Sequence, residues 1–249
     1  MERPSFTSHN RRQESMKFSI NRKKLIYILI SAAIIIVGGP WLYTSLFRDE
    51  PLNPFNETSI SNDGVTATTG EIQISGDWKL IAESQVGYRI KERIALKTFE
   101  TVGRSSEVTG SLKILDSEIT QTTFEVDMKT FQSDSGGRDA QFNGRIMDTE
   151  KYPTANFVLT EPITLVEKPI NGLTIKNAAT GNLTIRGTTK EVTIPLSSTL
   201  QNSVITVIGQ IQIQFDEWKI PNPSVPLVFI YTEPNCILEF SLKFEKQKD

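Results

Sequence analysis

The sequence predicts an all-β domain, an antiparallel barrel or sandwich, preceded by one N-terminal membrane-spanning helix. Three observations carry this. Residues 25–47 run for 23 positions without a charge, long enough to cross a bilayer at 1.5 Å rise per residue. Beyond residue 71, apolar side chains recur at every second position in short runs, the mark of strands with one dry face. Long helical periodicity, βαβ alternation and Gly-rich phosphate loops are all missing from that half of the chain, which argues against a nucleotide-binding α/β fold.

The first element is a basic segment, residues 1–24, with seven Lys/Arg and two acids. It precedes "LIYILISAAIIIVGGPWLYTSLF" (25–47), and the charge bias places the N-terminus in the cytoplasm and the remainder outside. Trp41 and Tyr43 stand near the outer end, where an aromatic belt belongs. A cleaved signal peptide has a shorter charged region and a small-x-small cleavage site after the apolar run; neither is present, so 25–47 reads as an uncleaved signal anchor. Residues 48–70, rich in Pro, Asn, Ser, Thr and Gly, read as a flexible linker spanning roughly 25 Å. Residues 71–249 form the exported β-domain.

Within that domain, alternation is clear in "EVTGSLKI" (107–114), "TFEVDM" (123–128), "GNLTIRG" (181–187), "EVTIPL" (191–196), "GQIQIQF" (209–215) and "CILEFSLKF" (236–244), the last with Glu239 and Lys243 on the opposite face. Seven or eight such strands make a barrel or a sandwich. The alternation breaks between Phe131 and Tyr152. There Ser133 or Asp134 can cap a helix of two to three turns, Phe142 and Ile146 share its apolar face, and Asp148 and Thr149 end it. So short a helix must lean on something apolar, and the mouth of a barrel supplies it. Tyr152-Pro153 restarts a strand, Gly187-Thr188-Thr189 makes a hairpin connection, and "EWKIPNPSVPL" (217–227) is a rigid loop before the last strand.

Composition excludes several functions. The whole chain carries a formal charge of −2, but residues 49–249 hold 19 basic and 27 acidic residues, so the exported part is near −8. That speaks against a nucleic-acid partner and against electrostatic attraction to anionic headgroups. The single histidine, His9, lies before the anchor, and Cys236 is the single cysteine. The exported domain therefore cannot build a Ser-His-Asp or Cys-His site, a His-ligated metal centre or a disulfide. Arg138-Asp139 reads as a helix-start device, with Asp favoured by the dipole, and Cys236, on the face of Leu238 and Phe240, as a buried small hydrophobe.

Four blocks, "GDWKLIAESQVGYRIKE" (76–92), "VGRSSEVTGSLKI" (102–114), "SDSGGRDAQFNGRIMDTEKYPTANF" (133–157) and "GNLTIRGTTKEVTIPL" (181–196), resemble in order and spacing the YceI-like family of exported, lipocalin-like, polyisoprenoid-binding proteins. The resemblance covers about residues 70–245 and implies an eight-stranded antiparallel barrel with a helix near its opening and an extended lipid chain inside. The anchor suits bacterial, Gram-positive-type members. Two departures stand out: Gln141 occupies a position that is commonly His, and Glu83-Ser84 replaces a frequent His-Ser.

The resulting expectation is a non-enzymatic binder of an amphiphilic lipid, a polyisoprenoid or isoprenoid quinone, outside the cytoplasmic membrane and without cofactor, metal or catalytic residue. Candidate ligand contacts are Tyr88, Phe124, Met128, Phe142, Ile146, Phe157, Leu183, Ile213, Phe215, Trp218 and Phe240. Alternation does not distinguish a tunnel from a filled core, so lipid binding rests on the resemblance. The alternative is a β-scaffold whose loops meet a partner, and a large exposed apolar patch outside the barrel favours it.

Overall fold

The computed structural model describes residues 22–28, 30, 31, 50–56, 73–94, 96–165 and 170–248. Among these residues lie twelve strands: β1 (Gly76–Leu80), β2 (Gln85–Ile94), β3 (Lys97–Ser105), β4 (Val108–Leu115), β5 (Glu118–Asp127), β6 (Thr154–Leu159), β7 (Ile163–Thr164), β8 (Thr174–Ile185), β9 (Thr188–Gln201), β10 (Val204–Gln214), β11 (Ile230–Thr232) and β12 (Asn235–Lys246). Strands β1-β4-β5-β6-β8-β9-β10-β12 pair in that order and β12 returns to β1, closing an antiparallel barrel of eight. Closure leaves no free edge around the ring.

One stave of the ring is built from two segments. The second half of β12 pairs with β1 (Leu80 opposite Phe244) and its first half with β2 (Val86 opposite Phe240). The kink between them is stitched by Ser84, wholly buried, whose hydroxyl accepts from Lys243 N (3.0 Å) and donates to Lys243 O (3.3 Å). Past the point where β12 ends, β11 takes over as the partner of β2, with Ile230 opposite Ile94. Strands β11, β2 and β3 thus continue beyond the ring as a three-stranded flap.

Inside, the strands alternate as expected, with one refinement. Gly110 stands opposite Phe124, Gly209 opposite Phe240, and Gly181 lies diagonal to Phe157. A Cβ at Gly209 would meet Phe240 Cζ at 2.3 Å, and one at Gly181 would meet Phe157 Cζ at 2.4 Å. Missing side chains on one strand therefore make room for aromatic rings on the next. The three rings pack together at the barrel's waist, Phe124 on Phe157 at 5.2 Å and on Phe240 at 6.1 Å. Thr174–Thr199, Thr180–Thr193 and Thr184–Thr189 hydroxyl pairs bridge β8 and β9, the last two on the exposed face, which accounts for part of the threonine content. The hairpin between β8 and β9 turns on Arg186 and Gly187, both at positive φ; Thr188 and Thr189 already belong to β9.

Of the apolar stretch 25–47, residues 25–28, 30 and 31 are described; they are helical and exposed, and the remainder lies outside the described residues. Among the described residues no helix is long and apolar enough to cross a membrane. Of 48–70, read above as a flexible linker, residues 50–56 are described, and they lie as a strap across the outer face of β3, β2, β12 and β10. Arg89 donates to Leu52 O (2.5 Å), Arg104 to Asn53 O and Gln210 to Phe55 O (2.9 Å). Phe55 buries its ring on Ile208 under the Arg104 guanidinium. The sequence composition is that of a linker, but three backbone carbonyls and one aromatic ring give this part of it a seat.

Candidate functional site

Above the waist the barrel holds a partly open cavity of about 140 Å³. Its floor is formed by Phe124 and Phe240, its walls by Ile90, Met128, Leu183, Ile194, Ile211, Ile213, Phe215 and Leu238, and its roof by Phe142, Ile146 and Met147. A second apolar void of about 50 Å³ lies below the waist, lined by Leu112, Ile114, Leu196 and Val207 among others. On β10 the order along the inward face is Ile211, Gly209, Val207, so the aromatic layer separates the two.

The roof follows from its sequence. The segment is helical over Gly136–Gln141 and widens into a π-turn over Phe142–Ile146. Its start is fixed by Asp139, whose Oδ1 accepts from Ser133 N (2.9 Å) and Ser133 Oγ (2.6 Å). Ser133 thus serves as donor to the acid, where the sequence suggested Ser133 or Asp134 as the cap. The wider turn, closed by Met147 N to Phe142 O at 2.8 Å, keeps Phe142 and Ile146 both facing the cavity. Asp148 ends it with φ 52°. Phe142 stacks on Tyr88 (5.2 Å, 10°) and packs against Phe131 (5.2 Å). An apolar face too short to form a helix alone is stabilised by this aromatic cluster.

Polar latches pin the roof at its rim. Arg138 pairs with Asp134 and with Glu92 Oε2 (3.6 Å), and Glu92 also accepts from Thr101 Oγ1 (2.7 Å). Arg145 donates to Asn222 O (3.3 Å), Pro223 O (3.1 Å) and Gln141 Oε1 (3.3 Å), tying the roof to the loop before β11. Arg138 and Glu92 border the cavity as well. The arrangement can hold an apolar chain with a polar end at an acid–guanidinium lip.

Burial shifts two of the titratable groups that face this interior. The Tyr88 hydroxyl is raised well above its ordinary value by burial, with Arg138 pulling the other way and Asp139, Glu92 and Asp134 adding to the rise. The Cys236 thiol is pushed up by burial from 9.0 to about 12. A raised folded-state value means that the unfolded chain loses its proton first. Cys236 therefore contributes stability that is whole below about pH 9 and is lost as pH rises toward 12, at up to about 1.4 kcal/mol per unit. Native protein at pH 8 is expected to react with a thiol reagent only at the rate of unfolding, and guanidinium-unfolded protein at once. Prompt labelling of the native thiol would contradict this burial.

Nine of the eleven candidate contacts border the cavity: Tyr88, Phe124, Met128, Phe142, Ile146, Leu183, Ile213, Phe215 and Phe240. Phe157 is 1% exposed and packs behind Phe124 in the waist. Trp218, placed at an entrance by its Pro-rich surroundings, is 2% exposed and lies outside the cavity wall under Lys190. A 3₁₀ turn at Asp216–Trp218, closed by Lys219 at φ 55°, folds it inward. Among residues not singled out, Val126, Ile185, Ile194, Ile211 and Leu238 continue the alternating faces and were findable that way. Phe131, Met147, Glu92 and Arg138 reach the cavity through tertiary packing alone. Gln141, the departure from the common His, is exposed on the outer side of the roof and takes part in the Arg145 latch. Among the described residues no three His, Cys, Asp or Glu side chains are grouped to hold a metal ion.

A search of curated protein sequences finds no match. Among solved structures, the fold is similar to a polyisoprenoid-binding domain from Saccharophagus degradans implicated in plant cell wall breakdown (12% identity, TM-score 0.56, 68% of this chain and 98% of that one). It is also similar to BcnA of Burkholderia cenocepacia (19% identity, TM-score 0.52, 65% and 96%). The YceI-like domain profile matches residues 78–244. That match spans well over half of the chain and runs from β1 to β12, and with it the chain belongs to the YceI-like family.

Proposed function

We propose that the barrel binds one amphiphilic lipid of polyisoprenoid or isoprenoid-quinone type, tail in the cavity and polar end at the Arg138–Glu92 lip, without catalysing a reaction on it. The observation that carries this is the apolar, aromatic-roofed cavity itself. A single water needs roughly 10–15 Å³ of such space, so 140 Å³ takes about ten water-sized groups of a slim chain. At about 0.8 kcal/mol per buried methylene, ten give roughly 8 kcal/mol, which is micromolar affinity before the cost of fixing the chain. A longer tail requires the waist to yield or the roof to lift. The likeness to a polyisoprenoid-binding domain supports the same ligand class.

The reading includes location. Residues 25–47 anchor the chain in the cytoplasmic membrane with the barrel outside, supported by the charge bias of 1–24. Storage, transfer or presentation of a membrane-derived lipid follows from that placement. The scaffold alternative draws on the exposed Leu96 and Leu227.

Native mass spectrometry of the protein purified from its own host, followed by solvent extraction, tests the proposal. A prenyl-type lipid at one per chain is the expected result. An apo mass that does not change when prenyl lipids are supplied would overturn it in favour of the scaffold.

A further inference from the structure

The flap formed by β11, β2 and β3 ends in two turns that no part of the binding site uses. The turn between β2 and β3 exposes Leu96 completely. Beside it, the turn leading into β11 exposes Leu227 at 89%, and Phe229 and Tyr231 at 45% and 40%. Register places the two turns together, because Ile230 pairs with Ile94 and Tyr231 with Arg93. Folding leaves these side chains in water although the barrel has a core to receive them. We propose that these paired tips insert into the lipid bilayer interface, so that the cavity mouth meets the membrane from which its ligand comes. The purpose of the contact rests on the lipid-binding reading above; the contact itself does not.

Four observations select a bilayer as the occupant. The tips stand at the mouth end: Leu96 lies four residues beyond Glu92, which pairs with Arg138 of the roof, hence about 13 Å past it at roughly 3.3 Å per residue. They are narrow turns carrying four apolar side chains, too few for the roughly 800 Å² per partner that a stable protein interface buries. Cations sit on the aromatic rings behind them, Arg93 over Tyr231 at 5.2 Å and Lys97 over Phe99 at 5.0 Å. Such amphipathic pairs suit the headgroup level, with apolar leucines ahead of them. Finally, Glu50 of the strap lines the same surface groove as Ser133 and Asp134, at the foot of the roof, and the apolar run 25–47 ends three residues before it in sequence. The exported charge near −8 makes apolar insertion, not headgroup attraction, the driving term.

The test uses the full chain, with Cys236→Ala, in phosphatidylethanolamine vesicles containing a minority of phosphatidylglycerol. An environment-sensitive fluorophore is attached at Leu96→Cys, at Leu227→Cys or, as control, at Asn202→Cys in the turn between β9 and β10 at the opposite end of the barrel. The probes at 96 and 227 are expected to shift to the blue and lose most of their emission to nitroxide-bearing lipids, in low and high salt alike, while the probe at 202 does neither. Equal water exposure of all three probes would overturn the proposal. So would a blue shift at 96 and 227 without lipid quenching, which would instead mark a contact with another protein or a second copy. Probe depth is read whether or not the cavity is loaded. Quenched probes on a chain that takes up no lipid defeat the ligand reading alone, and a loaded chain with unquenched probes defeats this one alone.

Discussion

Replacing Glu239 by alanine is expected to destabilise the barrel by about 3–5 kcal/mol, the range for removing one partner of a buried ion pair. Glu239 is 1% exposed and receives Arg89 Nε at 2.7 Å and Arg104 Nη2 at 3.1 Å. Without it two guanidinium groups face each other beneath the strap. Arg89, 4% exposed, keeps Glu100 at 2.8 Å, but the Arg104 guanidinium is left with Asn53 O and the Phe55 ring, neither of them an anion. Glu100→Ala is the control: Glu100 is a third exposed, and solvent screening holds its loss to about 1 kcal/mol or less. The pair Arg89→Met/Glu239→Leu should recover most of the stability, since apolar replacements of a buried pair are often neutral. Urea unfolding midpoints at unchanged slope decide it. A Glu239→Ala midpoint equal to that of Glu100→Ala would mean that the strap does not seal this face in solution.

The same residue shows where the sequence was legible and where it was not. Alternation in "CILEFSLKF" assigns Glu239 to the outward face, and outward it points. That the outward face is dry there depends on residues 50–56 lying over the Arg89–Arg104–Glu239 cluster, through contacts 37 to 155 positions apart that no local pattern encodes. Strands β4, β5, β8, β9, β10 and β12 announce themselves because one face is apolar and the other wet. β2 and β3 do not. Their inward faces carry Glu92, Thr101 and Gly103 beside Tyr88 and Ile90, and Arg89 on the outer face is buried too. The polar residues that blur the alternation are the ones that build the lip and seat the strap. The roof was visible as a change of period, whereas its π-turn and its Arg145 latch depend on packing against Tyr88 and on the loop at 222–223. Trp218 was misread for the complementary reason: a Pro-rich stretch looks exposed, and only its left-handed residue at Lys219 turns the ring inward.

Phe240→Ala is expected to have the largest effect on what the barrel can hold. Phe240 is 8% exposed, tilts against Phe124, and covers Gly209 so closely that no Cβ fits there. Truncating it removes a whole ring from the waist and leaves nothing from Gly209 to replace it. The cavities of about 140 and 50 Å³ would then communicate. The cost in stability is about 3–5 kcal/mol, as for other buried Phe→Ala changes, and a ligand reaching through the gap should return part of it by mass action. The measurement is thermal unfolding with a ladder of prenyl alcohols of increasing length. In the wild type, stabilisation per added isoprene unit should level off once the upper cavity is full. In Phe240→Ala it should continue for further units, at roughly 25 cal/mol per Å² of apolar surface buried. Should the variant lose stability yet level off at the same chain length, the waist would be a packing layer and not the floor that limits the ligand. The tail would then have to leave through the roof.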